Sequence, residues 1–150
     1  MPAPEFTQTA PQAWLNSKPL TLEGLRGQVV LVEFWTFSCA NCVRSIPWVK
    51  SVEERYREQG LQVIGVHTPE FAHERPAEAV KRKLAELGVR HPVMLDNNYT
   101  YWNAMGNRYW PAYYLIDKRG QVRAAYAGEV RHGSAHGAEM RRHIEALLRE

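Results

Sequence analysis

The stretch at residues 29–48, VVLVEFWTFSCANCVRSIPW, decides the fold of this 150-residue chain. Its apolar run at 29–35 predicts a strand that is buried on both faces. The sequence CANC follows at 39–42, and apolar residues then recur at helical spacing. Residues three apart in the first turn of a helix share one face, so the sulfurs of Cys39 and Cys42 are close enough to bridge. A Cys-x-x-Cys pair at a strand-to-helix junction is typical of a redox site.

The composition is that of a globular protein. Hydrophobic residues make up 45% of the chain and charged residues 23%, which excludes a disordered chain. The net charge is +3, but the basic residues are scattered among acids, so we expect no nucleic-acid partner. Two cysteines exclude a disulfide-dense scaffold and a four-cysteine zinc site, and we expect neither a metal site nor a cofactor.

The N-terminal segment differs in composition from the rest. Residues 1–12, MPAPEFTQTAPQ, predict a flexible arm, and residues 13–150 form one predicted domain. The arm lacks the basic and apolar regions of a signal peptide, and no run in the chain is long and apolar enough to span a membrane. Taken literally, this N-terminus favours the cytoplasm, and it is also compatible with a linker left after an upstream membrane segment.

The rest of the chain alternates between strand and helix patterns. The order predicts a mixed central sheet with helices on both faces, parallel in its first half and closed by an antiparallel hairpin. Ser38 is the expected N-cap of the helix after the cysteines. The strands are expected at 28–35, 61–67, 93–95, 111–117 and 122–127, and the helices from the cysteines to about 59, at about 73–87, at 99–106 and at about 136–149.

Four motifs carry a family resemblance. They are WTFSCANC at 35–42, GVHTPEF at 65–71, DNNYTYW at 96–102 and NRYWPAYYLID at 107–117. With these motifs the chain resembles the thioredoxin superfamily, and within it the TlpA/ResA-like thiol–disulfide oxidoreductases. It is most similar to the thioredoxin-like domain of DipZ-type proteins, where that domain is joined to a membrane electron carrier. The resemblance implies an α/β, three-layer thioredoxin-like fold with a hairpin-like N-terminal extension at 13–27 and a helix-bearing insertion at about 68–90.

The cysteine pair suggests a two-step exchange. Cys39 is the expected nucleophile, because backbone N–H groups and the dipole at a helix N-terminus stabilise a thiolate. Cys42, one turn deeper, is expected to attack the mixed disulfide and release the substrate. By resemblance, Glu33 corresponds to the buried acid beneath the cysteines, which would take the proton from Cys42.

Three further residues are predicted to bind substrate. By resemblance, Pro111 is in the cis form and its loop faces the cysteines. The backbone of Trp110 could then pair with an extended substrate segment as an added strand. We expect Phe37 and Trp110 to provide an apolar surface for a partner loop.

The predicted function is disulfide exchange with partner proteins carrying disulfides or dithiols, as a reductant. The resemblance implies an upstream thiol donor, such as a membrane DsbD/CcdA-like carrier, and an extracytoplasmic, membrane-associated setting. Two alternatives remain open at this point. One is a thiol peroxidase, since Thr36 lies three residues before Cys39 as in peroxiredoxins, although Val32 occupies the position of their proline. The other is a metal carrier that uses both thiolates.

Overall fold

The predicted buried strand forms the middle of a six-stranded sheet in the computed structural model, which describes residues 1–150. Every residue of this strand is buried, as the apolar run predicts. In chain order the elements are β1 (Trp14–Leu15), β2 (Val29–Trp35), α1 (Ala40–Tyr56), β3 (Leu61–His67), α2 (Ala77–Leu87), β4 (Val93–Leu95), α3 (Thr100–Ala104), β5 (Ala112–Ile116), β6 (Val122–Ala127) and α4 (Ala135–Leu148).

The sheet is mixed, as predicted, with the strand order β1-β4-β3-β2-β5-β6. Strands β2, β3 and β4 are parallel neighbours, and α1 and α2 form the two crossovers that parallel pairing requires. Strand β5 runs antiparallel to β2 and forms a hairpin with β6. Because β2 lies between β3 and β5, it is a central strand. The cysteine loop, which begins at the carboxyl end of β2, is therefore flanked by strands on both sides.

Helices and loops cover both faces of the sheet, which completes the three-layer thioredoxin-like α/β fold. Alternate residues of β2, such as Leu31 and Trp35, pack against α1, α2 and α4. The others, such as Val32 and Phe34, pack against α3 and the N-terminal segment. The period of two that separates these sets puts Glu33 on the face covered by α1.

Two local predictions are wrong. Residues 13–27 do not form a hairpin, because Trp14 and Leu15 pair antiparallel with Met94 and Val93 of β4 and so extend the main sheet. A strand partner from elsewhere in the chain thus replaces the local one. Ser38 also does not cap α1, as described below.

The N-terminal residues make specific contacts, although the sequence predicts a flexible arm at 1–12. Phe6 is buried among Trp14 and Tyr101, and the Tyr101 hydroxyl donates to the Pro4 carbonyl oxygen at 2.9 Å. Pro2 forms a β-bridge with Gln121 at the start of the β6 hairpin strand. The division into an arm and a domain at residue 13 stays a prediction.

None of the helices combines the length and the apolar composition needed to cross a bilayer.

Candidate active site

The N-terminus of α1 carries the first cysteine. Cys39 is itself the N-cap residue: its Sγ accepts a hydrogen bond from the backbone N–H of Cys42 at 3.3 Å. The sulfur also lies 3.9 Å from the carbonyl oxygen of Trp110. Cys39 is partly exposed, and both cysteines are free thiols. A sulfur that accepts an N–H bond at the positive end of a helix of 17 residues is well placed to carry negative charge.

The second cysteine is in a contrasting environment. Cys42 is completely buried against Trp35 and Ile46. Burial raises its pKa well above the usual value, and the hydrogen bond with Cys39 raises it further. The Cys42 thiol therefore needs a nearby base before it can react as a thiolate.

A candidate base lies in the strand beneath the pair. Glu33 is fully buried in β2, on the face that α1 covers, and its charge interacts with that of Cys42. Burial raises the pKa of Glu33 to about 8, and the only hydrogen bond to its carboxyl group comes from the Tyr113 hydroxyl at 3.3 Å. A carboxyl group that titrates near neutral pH can both accept and release a proton under ordinary conditions.

The loop before β5 closes the site on the other side. The peptide bond between Trp110 and Pro111 is cis. The indole N–H of Trp110 donates to the Thr68 carbonyl oxygen at 2.8 Å, and its ring lies 4.2 Å from that of Trp102. Trp110 is thus half buried, with its carbonyl oxygen aimed towards Cys39.

The DNNYTYW motif supports this loop from below. The Asp96 carboxylate accepts hydrogen bonds from the backbone N–H groups of Tyr101 and Trp102, at 2.9 and 3.1 Å, and from the Thr68 hydroxyl at 2.7 Å. These bonds fix α3 and with it the Trp102 ring on which Trp110 rests. The motif therefore positions the site without contacting the sulfurs.

The loop between β2 and α1 carries the remaining predicted residue. Phe37 is half buried and stacks on the imidazole of His67, with ring centroids 5.6 Å apart. Its backbone N–H lies 3.3 Å from His67 Nε2. Burial lowers the pKa of His67 to about 4, so this imidazole is neutral and can accept that hydrogen bond.

Sequence analysis missed Glu74, which is inaccessible to solvent. Its carboxylate accepts hydrogen bonds from the N–H groups of Glu70 and Phe71, at 2.7 and 3.0 Å, and from both the backbone N–H and the hydroxyl of Ser38. Ser38 is therefore engaged with the insertion and not with the helix N-terminus. The available signal was a glutamate at the N3 position of a short helical turn, three residues after the N-cap Phe71, from where its carboxylate accepts the N-cap backbone N–H.

His91 was also missed. It lies just before β4, far from the cysteines in sequence, and its Nε2 is 4.0 Å from Glu33 Oε1. No sequence pattern connects the two residues, because only the parallel pairing of β2, β3 and β4 brings them together.

The geometry bears on the two alternatives from the sequence. The Thr36 hydroxyl lies 3.3 Å from His67 Nε2 and is hydrogen-bonded to neither sulfur. No group of three or more His, Cys, Asp or Glu side chains is arranged to hold a metal ion. Neither alternative gains support from these contacts.

Comparison with known proteins agrees with the site. DipZ of Mycobacterium bovis is 51% identical over 119 residues, which are 77% of this chain and 17% of DipZ. The thiol-disulfide oxidoreductase YkuV of Bacillus subtilis is 36% identical over 128 residues, covering 85% of this chain and 84% of YkuV. A crystal structure of a thioredoxin-like superfamily protein superposes with a TM-score of 0.86 at 31% identity, covering 100% of this chain and 97% of the other.

Fold and site together define the class of thioredoxin-like thiol–disulfide oxidoreductases. The Redoxin family matches residues 1–141, and the chain belongs to this family. It spans about a sixth of the length of DipZ.

Proposed function

We propose that the protein reduces disulfide bonds in partner proteins, with Cys39 as nucleophile and Cys42 as resolving thiol. The observation that carries the proposal is the asymmetry of the pair: Cys39 is accessible at the helix N-terminus, whereas Cys42 is buried behind it. An exposed thiolate attacks an incoming disulfide, and a buried neighbour reaches only the mixed disulfide that results.

The chemical steps follow from these positions. The Cys39 thiolate attacks one substrate sulfur and releases the other as a thiolate, which leaves a mixed disulfide. Cys42 then loses its proton to the Glu33 carboxylate and attacks Cys39 Sγ. The Cys39–substrate bond breaks, the second substrate sulfur leaves, and the Cys39–Cys42 disulfide forms. Two electrons have passed from the protein to the substrate.

The rim of the site suggests how a protein substrate binds. We assign the contact with the substrate backbone to the loop of Trp110 and Pro111, since the Trp110 carbonyl oxygen already faces Cys39 at 3.9 Å. Phe37 supplies an apolar contact, since it packs against the same buried cluster as Cys39 and Trp110. Two exposed side chains extend this rim: Phe71 stacks on His73, which contacts Ser38, and Tyr109 precedes Trp110 in the chain.

The electron donor belongs to the same proposal. A reductant must be reduced again, and the resemblance to DipZ-type proteins supports an upstream thiol donor of the membrane DsbD/CcdA-like kind. An extracytoplasmic, membrane-associated setting follows from the same resemblance. Fractionation of cells that produce the full-length protein would test that location.

A mechanism-based trap tests the function. In Cys42→Ala protein, Cys39 is expected to remain disulfide-linked to its partners, which can then be identified from the native cell. The double variant Cys39→Ser/Cys42→Ala is the control and should trap none. The intact protein should also reduce insulin disulfides when a dithiol is supplied. Absence of Cys39-dependent adducts together with absence of insulin reduction would contradict the proposal.

A further inference from the structure

A second titratable side chain faces Glu33 from the neighbouring strands. His91 Nε2 lies 4.0 Å from Glu33 Oε1, and the side chains are 2% and 0% exposed. Neither atom has a hydrogen-bond partner. A shift of about 1 Å would bring these two buried atoms to normal hydrogen-bond length.

A glycine in the strand between Glu33 and His91 leaves space for the His91 side chain. Gly65 of β3 pairs with Glu33 on one side and with Val93 of β4 on the other. A Cβ atom at Gly65 would lie 3.4 Å from His91 Nε2 and 3.2 Å from Trp35 Nε1, which is also without a partner. Any larger side chain at position 65 would therefore fill the space between the imidazole and its neighbours.

The other side of His91 leads to the surface. His91 helps to line an open pocket of about 450 Å³ between α1 and the loop before β4. The pocket has no hydrophobic lining residue. Its other lining residues are Lys50, Glu53, Glu54, Arg57, Gly88 and Arg90. A polar pocket that is open to solvent thus adjoins the imidazole that faces the buried carboxyl group.

Near neutral pH, Glu33 and His91 together hold one titratable proton. Burial raises the pKa of Glu33 to about 8 and lowers that of His91 to about 4, so near neutral pH the carboxyl group holds the proton and the imidazole is a neutral acceptor. The other titratable groups that face Glu33 are Cys42 from α1 and Tyr113 from β5. The tyrosine donates to the other carboxyl oxygen, which leaves Oε1 directed at His91.

We propose that His91 is a positioning residue that passes the proton of Glu33 to solvent through the polar pocket, so that Glu33 can accept the proton of Cys42. The proposal rests on the proposed function, since it concerns the resolving step of that reaction. Glu33 gives its proton from Oε1 to the imidazole, which releases a proton to solvent in the pocket. The carboxylate so formed takes the proton of the Cys42 thiol as Cys42 attacks the mixed disulfide. Glu33 is then again a carboxylic acid, and no electron passes through His91.

Two-phase release of thionitrobenzoate from an aromatic disulfide reagent, 5,5′-dithiobis(2-nitrobenzoate), separates the steps. Attack by Cys39 releases the first thiolate, and resolution by Cys42 releases the second. In His91→Phe and His91→Ala proteins we expect the first phase to be unchanged and the second to be slowed about tenfold, a modest part of what acid–base catalysis supplies. His132→Phe, at an exposed loop position, is the matched control and should leave both phases unchanged.

Chemical rescue distinguishes proton transfer from packing. Imidazole added to the His91→Ala protein should restore much of the second-phase rate. Pyrazole, a ring of the same size but a far weaker base, should not. Equal rescue by both rings, or an unchanged second phase in both His91 variants, would overturn the relay. The proposed function fails separately, if intact protein reduces no protein disulfide or if Cys42→Ala protein still shows the second phase.

Discussion

Glu33 and Glu74 are both inaccessible to solvent, yet their pKa values move in opposite directions. Burial opposes the charge of each. Glu33 receives one long hydrogen bond, from Tyr113, and burial dominates. Glu74 receives bonds from Ser38 and from two backbone N–H groups, which outweigh burial and hold its pKa below the usual value. At the residue scale, the number of donors decides whether a buried carboxyl group is a proton acceptor or a fixed anion.

The raised pKa of Glu33 predicts a pH-dependent stability difference. An unfolded glutamate ionises near 4.5 and this folded one near 8, so ionisation destabilises the native protein increasingly as pH rises through that window. Glu33→Gln removes this penalty. Relative to wild type, the variant should gain stability between pH 5 and pH 8.5, by at most about 5 kcal/mol. Urea unfolding of the reduced proteins at both pH values measures the gain.

If the stability difference between Glu33→Gln and wild type is the same at pH 5 and pH 8.5, the pKa of Glu33 is not raised by folding.

The Glu33→Gln variant should also resolve the Cys39 mixed disulfide more slowly, because the glutamine side chain cannot accept the Cys42 proton. Tyr113→Phe is the companion variant: it removes the one hydrogen bond to Glu33 while leaving the carboxyl group in place.

At the scale of elements, the site is assembled from four separate segments. The N-terminus of α1 supplies the thiols, the loop before β5 supplies Trp110, the turn at 70–74 supplies Glu74, and α3 supplies the ring beneath Trp110. Glu74 joins two of these segments, since it links the insertion to the residue before Cys39. The insertion therefore contacts the active-site turn directly and holds Ser38 in place through Glu74.

Glu74→Gln should loosen that turn. The amide can still accept hydrogen bonds, but it loses the charge that strengthens those from Ser38 and the two backbone N–H groups, so we expect a loss of about 1–3 kcal/mol at pH 7. Because the pKa of Glu74 is depressed, its contribution is present above about 4.5 and lost as pH falls through the lower folded value. The difference between variant and wild type should shrink at acid pH.

Denaturant unfolding at neutral and acid pH, together with the rate of the first thionitrobenzoate phase, checks the Glu74 prediction. Glu70→Gln lies in the same turn with an exposed side chain and is the matched control. Equal losses for the two variants, or a Glu74 effect that persists unchanged in acid, would contradict the role of the charge.

For the molecule as a whole, the N-terminal segment is part of the core. Phe6 is 5% exposed in the cluster that also contains Trp14, Phe34 and Tyr101. Phe6→Ala should destabilise the protein by about 3–5 kcal/mol, as large-to-small changes of buried aromatics do. Phe71→Ala removes the same side chain where it is 55% exposed and should change stability by less than about 0.5 kcal/mol.

Thermal or urea unfolding of the Phe6 and Phe71 variants provides the comparison. A small effect at Phe6, similar to that at Phe71, would support the flexible arm that the sequence predicts at 1–12. A large one would show that the first residues stabilise the folded domain through the aromatic cluster.

Local patterns were enough for the order of elements. An apolar run seven residues long, a helical stripe after the cysteines and glycines at helix ends are written in contiguous sequence, and the structure confirms β2, β3, α1 and the β5–β6 hairpin. The hairpin at 13–27 is wrong because the partner of β1 is a strand about eighty residues further along. Pairing between distant segments leaves no local signal.

The sequence by itself determined the class of chemistry, because its CxxC pair directly follows an apolar strand pattern and begins a helical one, and the family resemblance identified Glu33. Only the tertiary structure decided which groups surround them. Glu74 reaches Ser38 across the insertion, and His91 reaches Glu33 across three parallel strands. Such contacts depend on sheet order and crossover packing, which are set by the burial of the whole core and not by any one stretch of residues.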